Sequence, residues 1–512
     1  MKSKIKNPKF LLVYPPQQFE KKEIIRPEGT LSLPYLAASL AEAGFHSQIL
    51  DACVGTAKDK LEEVFYREKP ISDDLVRVGM PEERIVEEIR DFDVIAVTSI
   101  FTQQTSRCLE IGELVKKFYP EKLLIAGGVN ARNLKDHFFS RGYDVIFTSE
   151  GEKPIVEFAK FLHSGAPTIA EIDGIAYKKG DKVIINPAKI ISTPLDDIAM
   201  PLWEKLPNER YWKIGRIWGG RQGWIGSDDY VRYAAIITSR GCPYNCKFCH
   251  ISKEKEGECG NIGRFRVHSL NRVEQEFDKL KSLNVNTIFV NDDCLLADKK
   301  RIFLILELLK KYKFSLADVN GVNITHFFKR IKGKFVIDDE LIEALYEAGF
   351  RKVSLPFESG SQRILDKYCS GKWNIEKVDT AALVKRLDKV GIAADGNFMI
   401  GWPDESPEEL TSTFVYAKRM MNAGMVGCGF FIVQPFPGTI LFEEAIKNGQ
   451  LSKSWHWDDL GWAKGSPFNN IKIDKKVLRY TWGLALKLLN ESGRVKEFIQ
   501  QQTRIKLKER KE

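Results

Sequence analysis

Residues 239–249 read Ser239-Arg240-Gly241-Cys242-Pro243-Tyr244-Asn245-Cys246-Lys247-Phe248-Cys249. Three thiols at C-x3-C-x2-C spacing on one loop can hold a small metal centre. A [4Fe–4S] cluster has four irons, so three cysteine ligands leave one iron open to a further ligand. Zinc is the alternative, because it also favours thiolates. A structural zinc site needs a fourth ligand, and only His250 and Cys259 lie nearby in the sequence.

The cysteine loop follows the first of six strand-like segments that alternate with helical segments. The strands are predicted at residues 233–238, 287–291, 318–324, 352–357, 396–400 and 427–433. Strands that alternate with helices favour a parallel sheet. Six such units predict a partial (β/α)6 barrel over 231–450, since a closed TIM barrel has eight. Residues 451–512 form a small helical C-terminal extension in this prediction.

The first 165 residues predict a second α/β unit of the Rossmann-like, parallel-sheet type. Five strand candidates lie near residues 10–14, 46–51, 93–99, 123–128 and 144–149, with amphipathic stretches between them. Residues 166–230 then form a predicted connector, which contains a predicted hairpin between Gly174 and Ile185.

Small and polar residues follow the strands of this first unit. Because ligands bind at the carboxyl ends of such strands, and small residues let a bulky ligand approach the backbone, this edge is a candidate cofactor site. The candidate residues are Thr98, Ser99, Gly127, Gly128, Ser149, Glu150 and Gly151. A tight turn alone is the alternative explanation for the glycine pair.

Composition is that of an ordinary globular protein. The chain has 512 residues, 43% hydrophobic and 29% charged, with a net charge of +9. Basic residues cluster at 504–511, which we interpret as a solvated helix end, and we expect no nucleic-acid partner. We expect no transmembrane segment and no secretory signal. The chain has nine cysteines and no predicted secretory signal, so we expect the protein to lie in the reducing cytoplasm and to have no disulfide framework.

The cysteine loop resembles the signature of the radical S-adenosylmethionine superfamily. Residues 356–361, 396–405 and 434–439 are similar to the segments that close the fourth, fifth and sixth barrel strands of that family. An α/β unit ahead of the barrel resembles the cobalamin-binding branch. The resemblance covers roughly residues 9–450.

The resemblance implies three cofactors: a [4Fe–4S] cluster on Cys242, Cys246 and Cys249, S-adenosylmethionine, and cobalamin in the first domain. It implies contacts to S-adenosylmethionine from a group of residues on the barrel rim, namely Phe248, Asp292, Asp293, Glu358 and Ser359. The family's glycine-rich turn before the acid is absent here, where the chain reads Asn291-Asp292-Asp293-Cys294. No D-x-H-x-x-G loop is present either, so we expect cobalt without a histidine below it.

The implied activity is cobalamin-dependent radical methylation of an unactivated carbon in a small-molecule or lipid substrate. Electrons are expected from a donor such as flavodoxin or ferredoxin. The alternatives are a radical cyclase, oxidase or rearrangement enzyme, and a non-catalytic iron–sulfur or cobalamin-binding protein.

Overall fold

The computed structural model describes residues 5–21, 25–27, 30–189, 195–215, 231–452, 454–461, 465–469 and 471–490. The basic cluster at 504–511 lies outside the described residues. Of the predicted C-terminal extension, the described part includes one long helix, residues 475–490.

The first domain is built on a sheet of seven strands. Its strands and those of a small accessory sheet are β1 (Phe10–Tyr14), β2 (Gln17–Glu20), β3 (Ser47–Asp51), β4 (Lys69–Pro70), β5 (Leu75–Val78), β6 (Val94–Thr98), β7 (Leu123–Gly127), β8 (Val145–Phe147), β9 (Ile175–Lys179) and β10 (Lys182–Asn186). The helices are α1 (Ser32–Glu42), α2 (Leu61–Val64), α3 (Glu82–Ile89), α4 (Thr105–Phe118), α5 (Val129–Asn133), α6 (Lys135–Ser140), α7 (Glu152–Ser164) and α8 (Asn208–Ile214).

The strand order of the large sheet is β10-β9-β8-β7-β6-β1-β3, and the five strands from β8 to β3 are parallel. In β1, Leu11 and Val13 pack into one apolar layer, while Phe10 and Leu12 pack into the layer on the other face. Burial on both faces explains why the strand is a continuous apolar run. The hairpin in the predicted connector, β9–β10, pairs antiparallel with β8 and extends this sheet.

The second domain is a six-stranded parallel sheet surrounded by helices. Its strands and hairpins are β11 (Tyr233–Ile236), β12 (Ser239–Arg240), β13 (Arg266–Val267), β14 (Thr287–Val290), β15 (Ser315–Asp318), β16 (Phe328–Ile331), β17 (Lys334–Ile337), β18 (Phe350–Glu358), β19 (Ala393–Ile400) and β20 (Gly427–Ile432). Its helices are α9 (Leu270–Ser282), α10 (Lys299–Lys310), α11 (Asp339–Glu347), α12 (Gln362–Tyr368), α13 (Thr380–Val390), α14 (Pro407–Asn422), α15 (Ile440–Lys447) and α16 (Lys475–Asn490).

The barrel is open on one side. Its strand order is β11-β14-β15-β18-β19-β20, and β11 and β20 form the two edges of the sheet. Along β19, buried Ala394, Gly396 and Phe398 alternate with half-buried residues on the other face. On the outward face, Phe398 stacks on Phe357 of the neighbouring strand β18, and the Phe357 ring in turn contacts Tyr416 of α14. The other face therefore lines an accessible barrel interior.

The third barrel strand differs from its prediction. Residues 318–324 were expected to be extended, but β15 spans Ser315–Asp318 and ends where that segment begins. Gly321 has φ +95 in the following turn, a conformation that cannot continue a strand. Val322 and Ile324 are nevertheless buried, so an irregular segment supplies the apolar pattern that indicated a strand.

No helix among the described residues is both long enough and apolar enough to cross a bilayer.

Candidate cofactor sites

The cysteine loop leaves the barrel after β11 through a rigid turn. Gly241 has φ +80, and a Cβ there would lie 2.2 Å from the carbonyl oxygen of Arg264. The backbone N–H of Cys242 donates to the Gly263 carbonyl at 3.1 Å. The loop is thus held against residues 263–266, and only glycine fits at its entrance.

The donor set of the cysteine loop consists of three thiols. Among the described residues, no three cysteine, histidine or carboxylate side chains converge as the ligands of one metal ion must. Cluster cysteines bind separate irons, so their sulfurs lie further apart than the ligands of zinc. Three thiols on one loop can each bind a separate iron and leave the fourth iron open, so the donor set of Cys242, Cys246 and Cys249 fits a [4Fe–4S] cluster by its chemistry.

The three thiols lie in different electrostatic environments. The pKa of Cys242 is lowered to about 7, chiefly by a hydrogen bond from the Cys294 thiol. Burial raises the pKa of Cys246 to about 11 and that of Cys249 to about 12. A metal ligand must be deprotonated, so for these two sulfurs iron has to replace a firmly held proton.

The two acids after β14 brace the base of the cysteine loop. The Asp292 carboxylate accepts hydrogen bonds from the Thr238 N–H at 2.7 Å and from the Ser239 hydroxyl at 2.5 Å. Asp293 accepts from the Gly241 N–H at 2.7 Å. Burial raises the pKa of Asp293 to about 6. A contact of either acid to S-adenosylmethionine stays a prediction.

Glu358 ends β18 beside the cysteine loop and is paired with a lysine that no sequence motif indicated. Its carboxylate lies 2.7 Å from the Lys372 ammonium, and the two side chains are only 7% and 10% exposed. The segment before Lys372 is hydrogen-bonded to the cysteine loop, because the Lys247 N–H donates to the Tyr368 carbonyl at 2.8 Å. The Lys372 charge also favours the thiolate of Cys246.

Ser359 and Phe248 have local structural contacts. The Ser359 hydroxyl accepts from the Ser361 N–H at 3.0 Å and so shapes the turn into α12. The Phe248 ring packs edge-on against Trp402, with centroids 5.7 Å apart. Their predicted contacts to S-adenosylmethionine stay predictions.

A cavity of about 270 Å³ lies at the carboxyl edge of the first domain's sheet. Six of the predicted residues line it, namely Thr98, Gly127, Gly128, Ser149, Glu150 and Gly151. Ser99 lies outside its lining, and its hydroxyl accepts hydrogen bonds from Asn130 at 2.8 Å and from the Cys108 thiol at 3.2 Å. Barrel residues Ile237 and Arg240 complete the wall.

The two adjacent glycines at this edge, Gly127 and Gly128, differ in whether the backbone requires glycine. Gly128 has φ +102, and a Cβ there would lie 2.4 Å from the Ser99 carbonyl oxygen, so the turn itself requires glycine. At Gly127 a Cβ would meet only Phe147, at 3.5 Å. The turn therefore explains Gly128, whereas the absence of a side chain at Gly127 leaves space in the cavity.

A second cavity, of about 1120 Å³, lies between the same sheet edge, β20 and the C-terminal segment. Ile100 lines the smaller cavity and the next residue, Phe101, lines the larger one, so the two cavities adjoin. The smaller cavity contacts the barrel just after β11, and the larger cavity contacts it at Gly429 and Phe431 of β20. Together they flank the open side of the barrel.

These cavities fit cobalamin, which has a flat aromatic base and a broad corrin ring. Glycines and apolar side chains line most of the smaller cavity, which suits an aromatic base. None of the described residues lining either cavity is a histidine. Cobalt without a histidine ligand stays a prediction.

Ion pairs join the two domains around the smaller cavity. Arg266 makes a bidentate contact to Glu150, at 2.6 and 3.0 Å. Arg240 reaches Glu150 at 3.2 Å and Glu152 at 2.7 Å. Although burial opposes it, the two arginines lower the pKa of Glu150. Nearby, Lys135 pairs with Glu258 at 2.7 Å.

Comparison with known proteins agrees with this geometry. The radical SAM superfamily model matches residues 236–417, and the B12-binding domain model matches residues 27–159. The chain is 27% identical to cytidylyl-2-hydroxyethylphosphonate methyltransferase of Streptomyces wedmorensis, over 86% of this chain and 82% of the relative. It is 26% identical to an uncharacterised methyltransferase of Pyrococcus horikoshii, over 86% of this chain and 84% of the relative.

Two solved structures share the fold. The radical S-adenosylmethionine methyltransferase TsrM of Kitasatospora setae, solved with cobalamin and a [4Fe-4S] cluster, matches with a TM-score of 0.60 and 16% identity, over 87% of this chain and 78% of that chain. The cobalamin-dependent S-adenosylmethionine radical enzyme OxsB matches with a TM-score of 0.61 and 18% identity, over 86% of this chain and 55% of that chain.

The cysteine loop, the partial barrel and the two matched domains confirm the predicted fold and the predicted cofactors, which are a [4Fe–4S] cluster, S-adenosylmethionine and cobalamin. This chain is an enzyme of the radical S-adenosylmethionine superfamily, in the branch that carries a B12-binding domain.

Proposed function

We propose that the protein is a cobalamin-dependent radical methyltransferase that acts on an unactivated carbon of a small-molecule or lipid substrate. The observation that carries the proposal is the position of the two cofactor sites. The cavity in the B12-binding domain and the cysteine loop share a wall, because Arg240 lines the cavity and precedes Cys242 by two residues. The two sites are therefore adjacent, as the transfer of a methyl group from cobalamin to a carbon activated beside the cluster requires.

When bound, the cluster with S-adenosylmethionine supplies a hydrogen-abstracting radical, and cobalamin supplies the methyl group. The protein holds these groups and excludes water. Cys242, Cys246 and Cys249 would hold the cluster, and Asp292 and Asp293 keep their loop in place.

The half-buried face of β19 supports a substrate site inside the barrel. Asn397 and Met399 lie on this face, on the side of the strand opposite the outward-facing Phe398. We place the substrate against this polar and partly accessible face. A cytoplasmic location and a flavodoxin- or ferredoxin-type electron donor belong to the same proposal.

The test is a product analysis of the anaerobically reconstituted full-length protein, with reductant, hydroxocobalamin and S-adenosylmethionine labelled in its methyl group. We expect 5′-deoxyadenosine, S-adenosylhomocysteine and label in the corrinoid fraction. A variant with Cys242, Cys246 and Cys249 all replaced by Ala is expected to lose its iron and to form no 5′-deoxyadenosine.

Other outcomes would point to the other reactions. Formation of 5′-deoxyadenosine without labelled corrinoid would favour cyclisation, oxidation or rearrangement. S-adenosylhomocysteine alone would indicate polar methylation. If neither product formed with intact cofactors, the protein would be a non-catalytic binder.

A further inference from the structure

Arg240 belongs to both cofactor sites. We propose that it couples them, so that cobalamin bound in the smaller cavity holds the cluster-binding loop in its ligating conformation. The inference rests on the proposed function, because it requires that both cofactors bind. It makes Arg240 a positioning residue, which acts through its contacts with the cavity and through the backbone of the cysteine loop.

The side chain of Arg240 forms part of the cavity wall. Its guanidinium lies 5.1 Å from the centroid of the Tyr35 ring, on α1. The same group pairs with Glu150 and Glu152, and the Arg240 side chain is only 14% exposed. Every one of these partners belongs to the first domain, and all three also line the cavity. A ligand in the cavity would therefore pack against the Arg240 ion pairs and shield them from water.

The backbone of Arg240 is tightly connected to the first cluster ligand. Arg240 pairs with Arg266 in the short β12–β13 ladder. The N–H of the next residue, Gly241, donates to Asp293, and the Gly241 backbone packs so closely on the Arg264 carbonyl that no side chain fits there. Cys242 follows directly and is hydrogen-bonded to Gly263. A displacement of Arg240 would thus move Cys242.

The two states that this coupling requires are the docked and the separated arrangement of the domains. In the docked arrangement, Ile237 and Arg240 from the barrel close a cavity whose other walls come from the first domain. Cobalamin contacts both sets of walls only when the domains are docked, so it binds that state more tightly and shifts the equilibrium towards it. Linkage then requires that the assembled cluster loop increases the affinity for cobalamin by the same factor.

The experiment measures iron release from the anaerobically reconstituted full-length protein to a chelator, with and without saturating hydroxocobalamin. In the wild type we expect hydroxocobalamin to slow the release by about fivefold or more, the lower end of typical coupling between sites. In Arg240→Met, the ratio of the two rates is expected to fall close to one. In Arg240→Lys, which keeps the charge, part of the ratio is expected to return.

The ratio is the informative quantity, because a purely structural defect would change both release rates and leave their ratio as in the wild type. Lys135→Gln is the matched control. It removes another ion pair between the domains, Lys135–Glu258, but Lys135 lines neither cavity. This variant is expected to keep the wild-type ratio.

Cobalamin binding is measured first, by equilibrium dialysis of cluster-free and cluster-loaded protein. If the wild type binds hydroxocobalamin without any change in iron release, or if both Arg240 variants keep the wild-type ratio, the coupling is overturned and the proposed function stands. A wild type that binds no hydroxocobalamin overturns both.

Discussion

Glu358 ends β18 in a left-handed backbone conformation, with φ +62. Such a conformation costs a non-glycine residue about 1–3 kcal/mol and persists only where the surroundings impose it. Here the buried ion pair with Lys372 holds the side chain in place. Ser370, two residues before Lys372, is left-handed as well, with φ +61. Strain on both sides of this ion pair, beside the cysteine loop, supports a functional role for Glu358.

A second unusual carboxylate lies inside the barrel. Asp318 ends β15 and is fully buried, with Oδ2 accepting from the Gly321 N–H at 3.0 Å. Oδ1 has no hydrogen-bond partner among the described residues. Burial raises the pKa of Asp318 to about 7. The positive charge of Lys352 lowers this pKa, and the negative charge of Asp395 raises it further.

Asp318→Asn is expected to remove a pH dependence of stability. The unfolded carboxyl loses its proton near pH 3.8, whereas the folded carboxyl keeps it until about pH 7. Between these values the folded state binds the extra proton, so wild-type stability falls as the pH rises. The melting temperature of the variant relative to that of the wild type should therefore rise between pH 5 and pH 8. A difference that is constant over this range would contradict the assignment.

At the scale of elements, the turn from β7 to α5 forms the floor of the smaller cavity. Its two glycines are distinguished by the space around them, since a Cβ at Gly128 overlaps the Ser99 carbonyl whereas one at Gly127 does not. A bulky residue at Gly128 would therefore distort the backbone, so a loss of ligand binding in such a variant could not be attributed to the filled cavity. Gly127 is the position at which cavity volume can be changed alone.

Gly127→Phe is expected to weaken cobalamin binding by more than about tenfold, or 1.4 kcal/mol, because the ring would occupy the cavity while the fold is kept. Equilibrium binding of hydroxocobalamin and the melting temperature are measured together. Gly128→Ala is the comparison, and it is expected to lower the melting temperature, because alanine is strained at φ +102. Wild-type cobalamin affinity in Gly127→Phe would show that the cavity is not the binding site.

At the scale of the whole molecule, a segment after the barrel attaches the two domains to each other. The Trp457 ring is 9% exposed and packs into an apolar layer of the first domain. Its indole N–H donates to the Ser106 hydroxyl at 2.8 Å. The next residue, Asp458, accepts from Gln18 at 2.8 Å and lines the larger cavity. This segment therefore closes the larger cavity and fastens it to α4.

Trp457→Ala is expected to loosen this attachment by about 3 kcal/mol, the lower end for loss of a buried tryptophan. Hydrogen exchange in residues 454–461 and at the start of α4 should accelerate, while exchange in the barrel strands stays unchanged. Val415→Ala, at a barrel-helix position that is 64% exposed, is the control and should leave exchange as in the wild type. Unchanged exchange in Trp457→Ala would contradict the role of the segment.

The cofactor class was implied by the family resemblance, and Cys242, Cys246 and Cys249 as cluster ligands stay a prediction. The two α/β domains and a metal centre at the cysteine loop were predictable from the sequence alone. These features follow from local patterns: apolar runs predict buried parallel strands, and closely spaced cysteines predict a metal centre. The strand prediction at 318–324 was wrong because periodicity reports burial, and the turn around Gly321 buries Val322 and Ile324 without forming a strand.

How the two cofactor sites are joined depends on tertiary packing. The pairing of Arg240 with Glu150 and that of Glu358 with Lys372 depend on where whole elements pack, and single charged residues carry no periodic signal. The same holds for Cys294, whose thiol reaches Cys242 from another strand end. The Arg240 pair arises from the packing of the two domains and the other two contacts arise from the packing of elements within the barrel, so no local stretch of the chain encodes them.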